Sequence, residues 1–318
     1  MSRLPPTKPS FYVIGCGAIG TALAQALVNA GYPLVGAMNR GSRRRRNFSK
    51  LLGIPVSAQL DARLDQAELI LLTVTDQALP EMALALGRTG FCRPQSVVLH
   101  TSGVLPGAAL GLKAQTGSLH PLAAVPTRGP PDLCAATFAI EGTTMARRTM
   151  QQLVCAMGGT AFTLQAKHKA RYHAGCVLAS NLSVALWHQA AQLLKEAGVP
   201  AAHRVTLALT HSAWQAVTTL GFRHGLTGPL KRGDLATLER HMAALPKDVR
   251  ELYRRLSLMA LPLAPASRLA LRSLLQAPRP TVSCRRSRPA VIPKKRVRRI
   301  RPVSMRVVRN ASSLRPTR

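Results

Sequence analysis

The sequence predicts an α/β protein with a mostly parallel sheet, followed by an all-helical region and a disordered basic tail. Apolar strand-like runs alternate with helical stretches in the first half, which is typical of a parallel sheet with helices on both faces. After about residue 142 helical patterns dominate. We therefore expect an α/β domain over 1–142, a helical domain over 143–278, and a tail over 279–318.

The first predicted strand ends in a glycine-rich turn. Phe11-Tyr12-Val13-Ile14 precedes Gly15-Cys16-Gly17-Ala18-Ile19-Gly20, and an alanine-rich helical stretch follows. In dinucleotide-binding turns the first glycine allows the sharp turn, the second admits the pyrophosphate, and the third packs the helix against the strand. The helix N-terminus offers N–H groups and partial positive charge to phosphates. We predict cofactor contacts by Gly15, Gly17, Ala18, Ile19 and Gly20.

The residues after the second predicted strand, Pro33 to Met38, favour NADP over NAD. Chains that bind NAD usually place Asp or Glu there to hold the ribose 2′-hydroxyl. This chain has no acid at that point, and a planar guanidinium suits a phosphate. We predict that Arg40, Ser42 and Arg43 surround the 2′-phosphate and that Asn39 also contacts the cofactor. The alternative is that the arginines only form a solvated start of a helix.

Further predicted strands bring polar residues to the same edge of the sheet. Buried strands are predicted over 68–75 and 96–100, and shorter ones over 117–120 and 137–140. Ligands of such sheets lie at the carboxyl ends of the strands. We therefore predict ligand contacts at this edge by five residues, with a structural role as the alternative for the histidines: Thr75, Asp76 and His100 on the cofactor, and Ser102 and His120 on the substrate.

A long apolar helical stretch over 166–197 carries a row of polar residues. Lys169, His173, Cys176 and Ser180 share one helical face, and Asn181 follows Ser180. Polar groups inside an apolar helix are costly unless they find partners or face a cleft. This row predicts a catalytic and substrate-binding site. Hydrogen-bonded residues at a domain or subunit interface are the alternative.

Composition weighs against several other classes of protein. An apolar content of 47% indicates a folded core. The chain contains no charge-free run of 18 apolar residues, so we predict no membrane span. No apolar signal segment precedes the first strand, so we expect a cytoplasmic protein. The six cysteines form no C-x-x-C pair and the nine histidines no tight ligand pair, so we expect no metal site.

The formal net charge of +32 is concentrated toward the end of the chain. Residues 279–318 contain 14 Lys or Arg and no Asp or Glu. Such a segment is predicted to be disordered and to bind polyanions weakly and non-specifically, with steep salt dependence. A tail without function is one alternative, and an anion-binding protein whose function depends on the tail is another.

Several motifs together resemble those of a known group of proteins. They are the G-x-G-x-x-G turn, His100-x-Ser102-Gly103, Gly117 to Leu122, Lys169-x-x-Tyr172-His173-Ala174 with Ser180-Asn181, and Leu226 to Pro229 with Arg232-Gly233-Asp234. The set resembles Rossmann-like proteins with a C-terminal helical domain of unknown function, which are similar in plan to pyrroline-5-carboxylate reductase and the β-hydroxyacid dehydrogenases. The resemblance covers about 11–275. It implies a Rossmann domain, a helical domain of the 6-phosphogluconate dehydrogenase type, and a homodimer formed through those helices.

These observations predict an NADP(H)-dependent reductase of a small C=O or C=N substrate. The β-hydroxyacid dehydrogenases use a lysine with an asparagine one turn later, whereas this chain has Lys169 and His173 at that spacing, so either can be the acid. We expect Ser102, His120, Ser180 and Asn181 to orient the substrate. The alternative is a non-catalytic NADP-binding regulator or scaffold, because a fold alone does not establish catalysis.

Overall fold

A computed structural model describes residues 8–125, 131–264 and 268–276 of the chain. The chain divides into two compact units between Gln215 and Ala216. Within the described residues, no helix has both the length and the apolar character that a membrane span requires. The predicted disordered tail over 279–318 lies outside the described residues.

The first unit is built on one sheet. Its strands are β1 (Phe11–Ile14), β2 (Leu34–Met38), β3 (Val56–Ser57), β4 (Leu69–Leu72), β5 (Val97–His100), β6 (Gln115–Pro121), β7 (Thr137–Gly142) and β8 (Thr160–Thr163). Their order is β3-β2-β1-β4-β5-β6-β7-β8. The first six run parallel in the order typical of doubly wound dinucleotide-binding sheets, whereas β7 runs antiparallel to β6. The predicted parallel α/β architecture is confirmed.

Helices cover the sheet and continue into the second unit. Those of the first unit are α1 (Ala18–Asn29), α2 (Ser42–Leu52), α3 (Leu79–Arg88), α4 (Thr144–Ala156), α5 (Lys169–Ala179) and α6 (Asn181–Glu196). The helix α7 (Ala202–Gly225) contains the division between the units. The second unit continues with α8 (Gly228–Arg232), α9 (Leu235–Ala244), α10 (Lys247–Ala260) and α11 (Arg268–Gln276). The predicted helical C-terminal region is therefore confirmed.

Apolar side chains pack on both faces of the sheet. Phe11 and Val13 of β1 belong to the cluster that includes residues of α1 and α4, whereas Tyr12 and Ile14 belong to the cluster that includes residues of α3. Alternate residues of a strand point to opposite faces, so a continuous apolar run is what a doubly covered strand requires. The second unit has a separate small core made of Leu230, Leu238, Leu261, Leu271 and Leu275.

Two predicted helical stretches are interrupted. The stretch over 166–197 is not one continuous helix, because Ser180 separates α5 from α6 with φ −118° and ψ −75°. The Ser180 hydroxyl donates to the carbonyl oxygen of Cys176, and such bonds compete with regular helix hydrogen bonding. A second stretch, over 247–275, also has a helical sequence pattern, and it is divided after α10 by a short 3-10 helix, Leu261–Leu263, which contains Pro262.

The sheet continues beyond residue 142, the end of the predicted NADP-binding domain. The strand β8 pairs with β7 in parallel, and α4 connects the two. Residues up to Thr163 therefore contribute to the sheet. The helix α5, which carries the predicted catalytic residues, belongs to the same compact unit as the glycine-rich turn.

Candidate functional site

The glycine-rich turn follows β1 at the carboxyl edge of the parallel strands. Gly15 has φ +105°, and a Cβ atom there would lie 2.8 Å from the carbonyl oxygen of Thr73. A Cβ atom on Gly20 would overlap the Gly15 carbonyl oxygen and the Thr73 hydroxyl. A Cβ atom on Gly17 would meet no described atom within 4 Å. The first and third glycines are thus required by packing, while the second borders open space, at the point where the sequence predicts the pyrophosphate.

Asn39 connects the turn to the end of β2. Its Oδ1 accepts a hydrogen bond from the backbone N–H of Cys16 at 3.0 Å, and its Nδ2 donates to the Gly41 carbonyl at 3.1 Å. The residue is 9% exposed. Asn39 therefore fixes the position of the glycine-rich turn relative to the loop after β2, and its predicted direct contact with the cofactor stays a prediction.

Basic residues follow β2 in two different settings. Arg40 is exposed, and its Nη1 lies 4.0 Å from Oε1 of Glu81. Arg45 instead donates from Nη1 to the Arg40 carbonyl at 2.6 Å and to the Asn39 carbonyl at 3.1 Å. Arg40 can therefore reach a ligand, while Arg45 braces the loop.

The residues that follow Arg40 at the start of α2 are also exposed. Ser42 begins α2, and both Ser42 and Arg43 are exposed. Arg44 is exposed as well. Burial raises the pKa of the Cys16 thiol to about 12, and the positive charge of Arg44 opposes that rise. Sequence reasoning assigned no role to Arg44 or Arg45. A run of four arginines does not indicate which of them face the turn.

His100 and Ser102 shape the loop after β5. The ring of His100 is fully buried, its Nδ1 accepts from the Ser102 N–H at 3.1 Å, and its Nε2 then donates to the Pro106 carbonyl at 3.1 Å. Burial lowers the pKa of His100 to about 4, so the ring is neutral at pH 7. The Ser102 hydroxyl accepts from the N–H groups of Val104 and Leu105. These bonds support structural roles, and the predicted ligand contacts of both residues stay predictions.

Lys169 is the first residue of α5, and it is buried against the carboxyl edge of the sheet. Its side chain is 1% exposed, and Nζ donates to the Ser118 hydroxyl at 2.7 Å and to the Ser102 carbonyl at 3.2 Å. Burial lowers the pKa of Lys169, while the carboxylates of Glu141 and Asp76 oppose that shift. The lysine thus links the start of α5 to β6 and to the loop after β5.

His120, Tyr172 and His173 form a cluster, here called the aromatic cluster. Nδ1 of His120 lies 2.7 Å from the Tyr172 hydroxyl, and the rings of His120 and His173 meet edge to face at 5.6 Å. A Cβ atom on Gly103 would overlap Cδ2 of His173 and lie 2.8 Å from Nε2 of His120. Only glycine fits beneath these two rings. All three aromatic residues are half-buried and therefore remain reachable.

The aromatic cluster contains groups that stay neutral near pH 7. Burial, with smaller contributions from the positive charges of His173 and Lys169, lowers the pKa of His120 to about 4, and Asp76 opposes this. Burial also raises the pKa of the Tyr172 phenol, as does its hydrogen bond with Cys176. The cluster therefore offers a protonated phenol hydrogen-bonded to a neutral imidazole.

The other predicted site residues are more exposed. Thr75 and Asp76 follow β4 at the same edge, and the Asp76 carboxylate is near enough to affect His120. Ser180 and Asn181 are exposed at the junction of α5 and α6, and Ser180 lies eight residues, or about 12 Å of helix, beyond Tyr172. No hydrogen bond or ring contact among the described residues joins them to the aromatic cluster. Their predicted catalytic roles remain untested.

Comparison with protein families places two domains along the chain. The model of the Rossmann-like domain matches residues 2–126, and that of the domain of unknown function DUF2520 matches residues 136–260. The chain joins a Rossmann-like domain to a DUF2520 domain. The resemblance found in the sequence is thereby confirmed. No curated protein matches the chain significantly.

Solved structures share this fold at low sequence identity. A protein from Thermotoga maritima aligns with a TM-score of 0.65 and 20% identity, over 80% of this chain and 98% of its own. The reductive aminase from Aspergillus terreus, solved with NADPH and ethyl-5-oxohexanoate, aligns with a TM-score of 0.57 and 19% identity, over 80% and 94%. The pyrroline-5-carboxylate reductase from Coxiella burnetii aligns with a TM-score of 0.55 and 13% identity, over 84% and 98%. At these identities the similarity shows the fold.

Proposed function

We propose that this protein is an NADP(H)-dependent oxidoreductase that reduces a small substrate with a C=O or C=N bond. One observation carries the proposal: the glycine-rich turn after β1 and the aromatic cluster beside β6 lie at the carboxyl edge of the same parallel sheet. Ligands of such sheets bind at this edge, near the change of direction between β1 and β4. The fold shared with a reductive aminase and a pyrroline-5-carboxylate reductase supports the same class of chemistry.

The glycine-rich turn would hold the pyrophosphate. The open space beside Gly17 admits phosphate oxygens, and the N–H groups at the start of α1 would donate to them. No acidic residue occupies the first turn of α1 to repel the phosphates. When bound, the reduced nicotinamide would supply a hydride, and the protein would supply position and protons.

NADP is proposed over NAD because of the residues after β2. Arg40 is exposed beside the start of α2, and the only carboxylate paired with it in the described residues, Glu81, is at the 4.0 Å limit of an ion pair. A guanidinium that is free to move can bind a 2′-phosphate through charge-assisted hydrogen bonds. Exposed Ser42 and Arg43 lie within the first residues of the same helix and would complete the contact.

A homodimer is proposed from the surface of α5 and α6. Leu178, Leu182 and Val184 are 58%, 52% and 56% exposed, and no residue of α6 is buried in the described chain. Large exposed apolar patches usually mark interaction surfaces. A second copy of the chain is the occupant that the family resemblance favours.

The proposed function is tested by following NADPH absorbance with a panel of keto acids and cyclic imines. Substrate-dependent oxidation of NADPH by the wild type, and its loss in Gly17→Ala, is the expected result. Tight NADPH binding without turnover on any substrate would favour the non-catalytic NADP-binding regulator. Failure to bind either NADPH or NADH would reject the oxidoreductase assignment.

A further inference from the structure

We propose that Tyr172 gives the proton to the substrate and that His120 is the positioning residue that restores the proton to Tyr172. This proposal rests on the proposed function and names the group that performs its acid step. The sequence pattern favours Lys169 or His173 for this role. The contacts around α5 point instead to the tyrosine between them.

Access distinguishes Tyr172 from Lys169. A general acid must come within hydrogen-bonding distance of the substrate atom that it protonates. Lys169 is nearly fully buried, and its Nζ already donates to Ser118 and Ser102. Tyr172 is half-buried, so part of the residue remains accessible.

The hydrogen bond between Tyr172 and His120 provides the path for the proton. The two atoms, Tyr172 Oη and His120 Nδ1, are 2.7 Å apart and belong to α5 and β6 respectively. The rings also meet edge to face, with centroids 5.7 Å apart. This contact holds the phenol at the sheet edge and gives it a partner that can either donate or accept a proton.

His173 has a different role in the same cluster. Its ring packs against His120, and its Cδ2 edge lies over Gly103, where no side chain could fit. Through these packing contacts His173 orients the ring of His120. The hydroxyl of Tyr172, in contrast, lies within hydrogen-bonding distance of an imidazole nitrogen.

The electrostatic setting suits this division of roles. The charged or titratable groups around His120 lie on two elements. They are Lys169, Tyr172 and His173 on α5, and Asp76 in the loop after β4. Burial favours the neutral imidazole and the neutral phenol. A neutral imidazole with its proton on Nδ1 can donate to a phenolate oxygen without placing a second positive charge beside Lys169.

The proton that Tyr172 gives to the substrate is replaced through His120. As the C=O or C=N bond of the substrate is reduced, its π electrons move to the oxygen or nitrogen, which takes the proton of Tyr172 Oη. Oη then takes the proton of His120 Nδ1, while Nε2 of the same ring accepts one proton from a solvent water molecule, which leaves as hydroxide and is neutralised by the buffer. The imidazole remains neutral as its other tautomer, and proton exchange with water at the two ring nitrogens restores the Nδ1–H tautomer before the next turnover. One water-derived proton is consumed in each turnover.

Tyr172→Phe is the first test, and Tyr253→Phe is its matched control. Tyr253 also places its hydroxyl near a histidine, at 2.9 Å from Nδ1 of His241 in the second unit. We expect Tyr172→Phe to bind NADPH within twofold of the wild type and to reduce substrate about 10²–10⁴-fold more slowly, the range typical of a lost general acid. Tyr253→Phe should keep both properties. A Tyr172→Phe variant with wild-type turnover would overturn the proposal while leaving the proposed function intact.

His120→Asn tests the positioning role. We expect kcat to fall at least tenfold with KM and the NADPH affinity nearly unchanged, because the amide can hydrogen-bond to the phenol but cannot pass on a proton. We also expect the solvent deuterium isotope effect on kcat to rise as reprotonation becomes slower. A rise in KM at unchanged kcat would show that the ring serves only in packing.

A measurement on the free protein tests the pair without any turnover. The ¹⁵N resonances of His120, assigned by their absence in His120→Asn, report which ring nitrogen carries the proton. We expect a neutral ring at pH 7 with the proton on Nδ1, and a shift of the Nδ1 resonance in Tyr172→Phe. An unprotonated Nδ1, or an Nδ1 resonance that does not change in Tyr172→Phe, would overturn the proton relay. This test needs no bound NADPH, so its result is independent of whether the proposed function holds.

Discussion

Nζ of Lys169 lies 2.7 Å from the hydroxyl oxygen of Ser118, and the lysine side chain is almost completely enclosed. The same Ser118 hydroxyl donates to the Ser102 carbonyl at 2.8 Å, so three residues from α5, β6 and the loop after β5 form one buried network. Within the described residues, no buried side-chain nitrogen or oxygen lacks a hydrogen-bond partner. The lysine therefore supports the floor of the candidate site.

Truncation of this lysine should lower stability. Lys169→Ala removes two hydrogen bonds and leaves a cavity, so we expect the free energy of unfolding to fall by about 2–4 kcal/mol. Lys167→Ala, at an exposed position two residues earlier, should change it by less than about 0.5 kcal/mol. Urea denaturation measures both. Equal stability of the two variants would argue against the supporting role and return Lys169 to consideration as the acid.

The second and third glycines of the glycine-rich turn should respond differently to alanine. Gly20→Ala forces its methyl group onto the Gly15 carbonyl and the Thr73 hydroxyl, so we expect a loss of about 3 kcal/mol or more. Gly17→Ala places its methyl group in open space at an ordinary φ of −77°, so we expect a loss below about 1 kcal/mol. Thermal and urea unfolding distinguish these outcomes. A severely destabilised Gly17→Ala would contradict the open space described at this turn.

Stability should fall as the pH is lowered from about 6.5 toward 4. The folded-state pKa of His120 is lowered to about 4 from an ordinary 6.5, so the unfolded chain binds more protons in this interval. Each such histidine contributes at most about 1.4 kcal/mol per pH unit, and His100 contributes with the same sign. In urea titrations from pH 7 to pH 4.5, His120→Asn should show a shallower loss than the wild type. Parallel curves would contradict a neutral His120.

The apolar surface of α5 and α6 should control the oligomeric state. We expect the wild type to sediment as a dimer and Leu182→Asp as a monomer, because an interfacial carboxylate would be desolvated without a partner. Leu84→Asp is the matched control, since Leu84 on α3 is 58% exposed but belongs to another surface element. Analytical ultracentrifugation decides the matter. A monomeric wild type would remove the proposed dimer.

Local patterns were sufficient to predict the dinucleotide-type fold. The sequence pattern over 79–88 is helical and forms α3 (Leu79–Arg88), and the glycine-rich turn joins a buried strand to a helix as expected. These features depend on neighbouring residues, whose periodicity and turn chemistry are visible in the chain. The sequence does not predict the break at Ser180, because the apolar pattern continues through it. The break is accompanied by a hydrogen bond from the Ser180 hydroxyl to the Cys176 carbonyl.

The site was less predictable because its key contacts are distant in sequence. His120 and Tyr172 are 52 residues apart, and only their packing shows that they share a hydrogen bond. The helical row correctly marked α5 as unusual, but its spacing could not show that Lys169 is buried while Tyr172 remains accessible. The GSLHP run and the adjacent Tyr172-His173 pair were the available signals.

The proposed binding of NADP(H) by the glycine-rich turn and Arg40 is tested most directly by a fluorescence titration of NADPH and NADH. We expect wild type to prefer NADPH, and Arg40→Ala to lose about tenfold or more in NADPH affinity with NADH unchanged, since about 1.4 kcal/mol corresponds to tenfold. Gly17→Ala should lose both nucleotides while staying folded. Arg88→Ala, an exposed arginine at the end of α3, should behave as wild type. Failure of the wild type to bind either nucleotide, or equal binding of both by wild type and Arg40→Ala, would contradict the proposed binding.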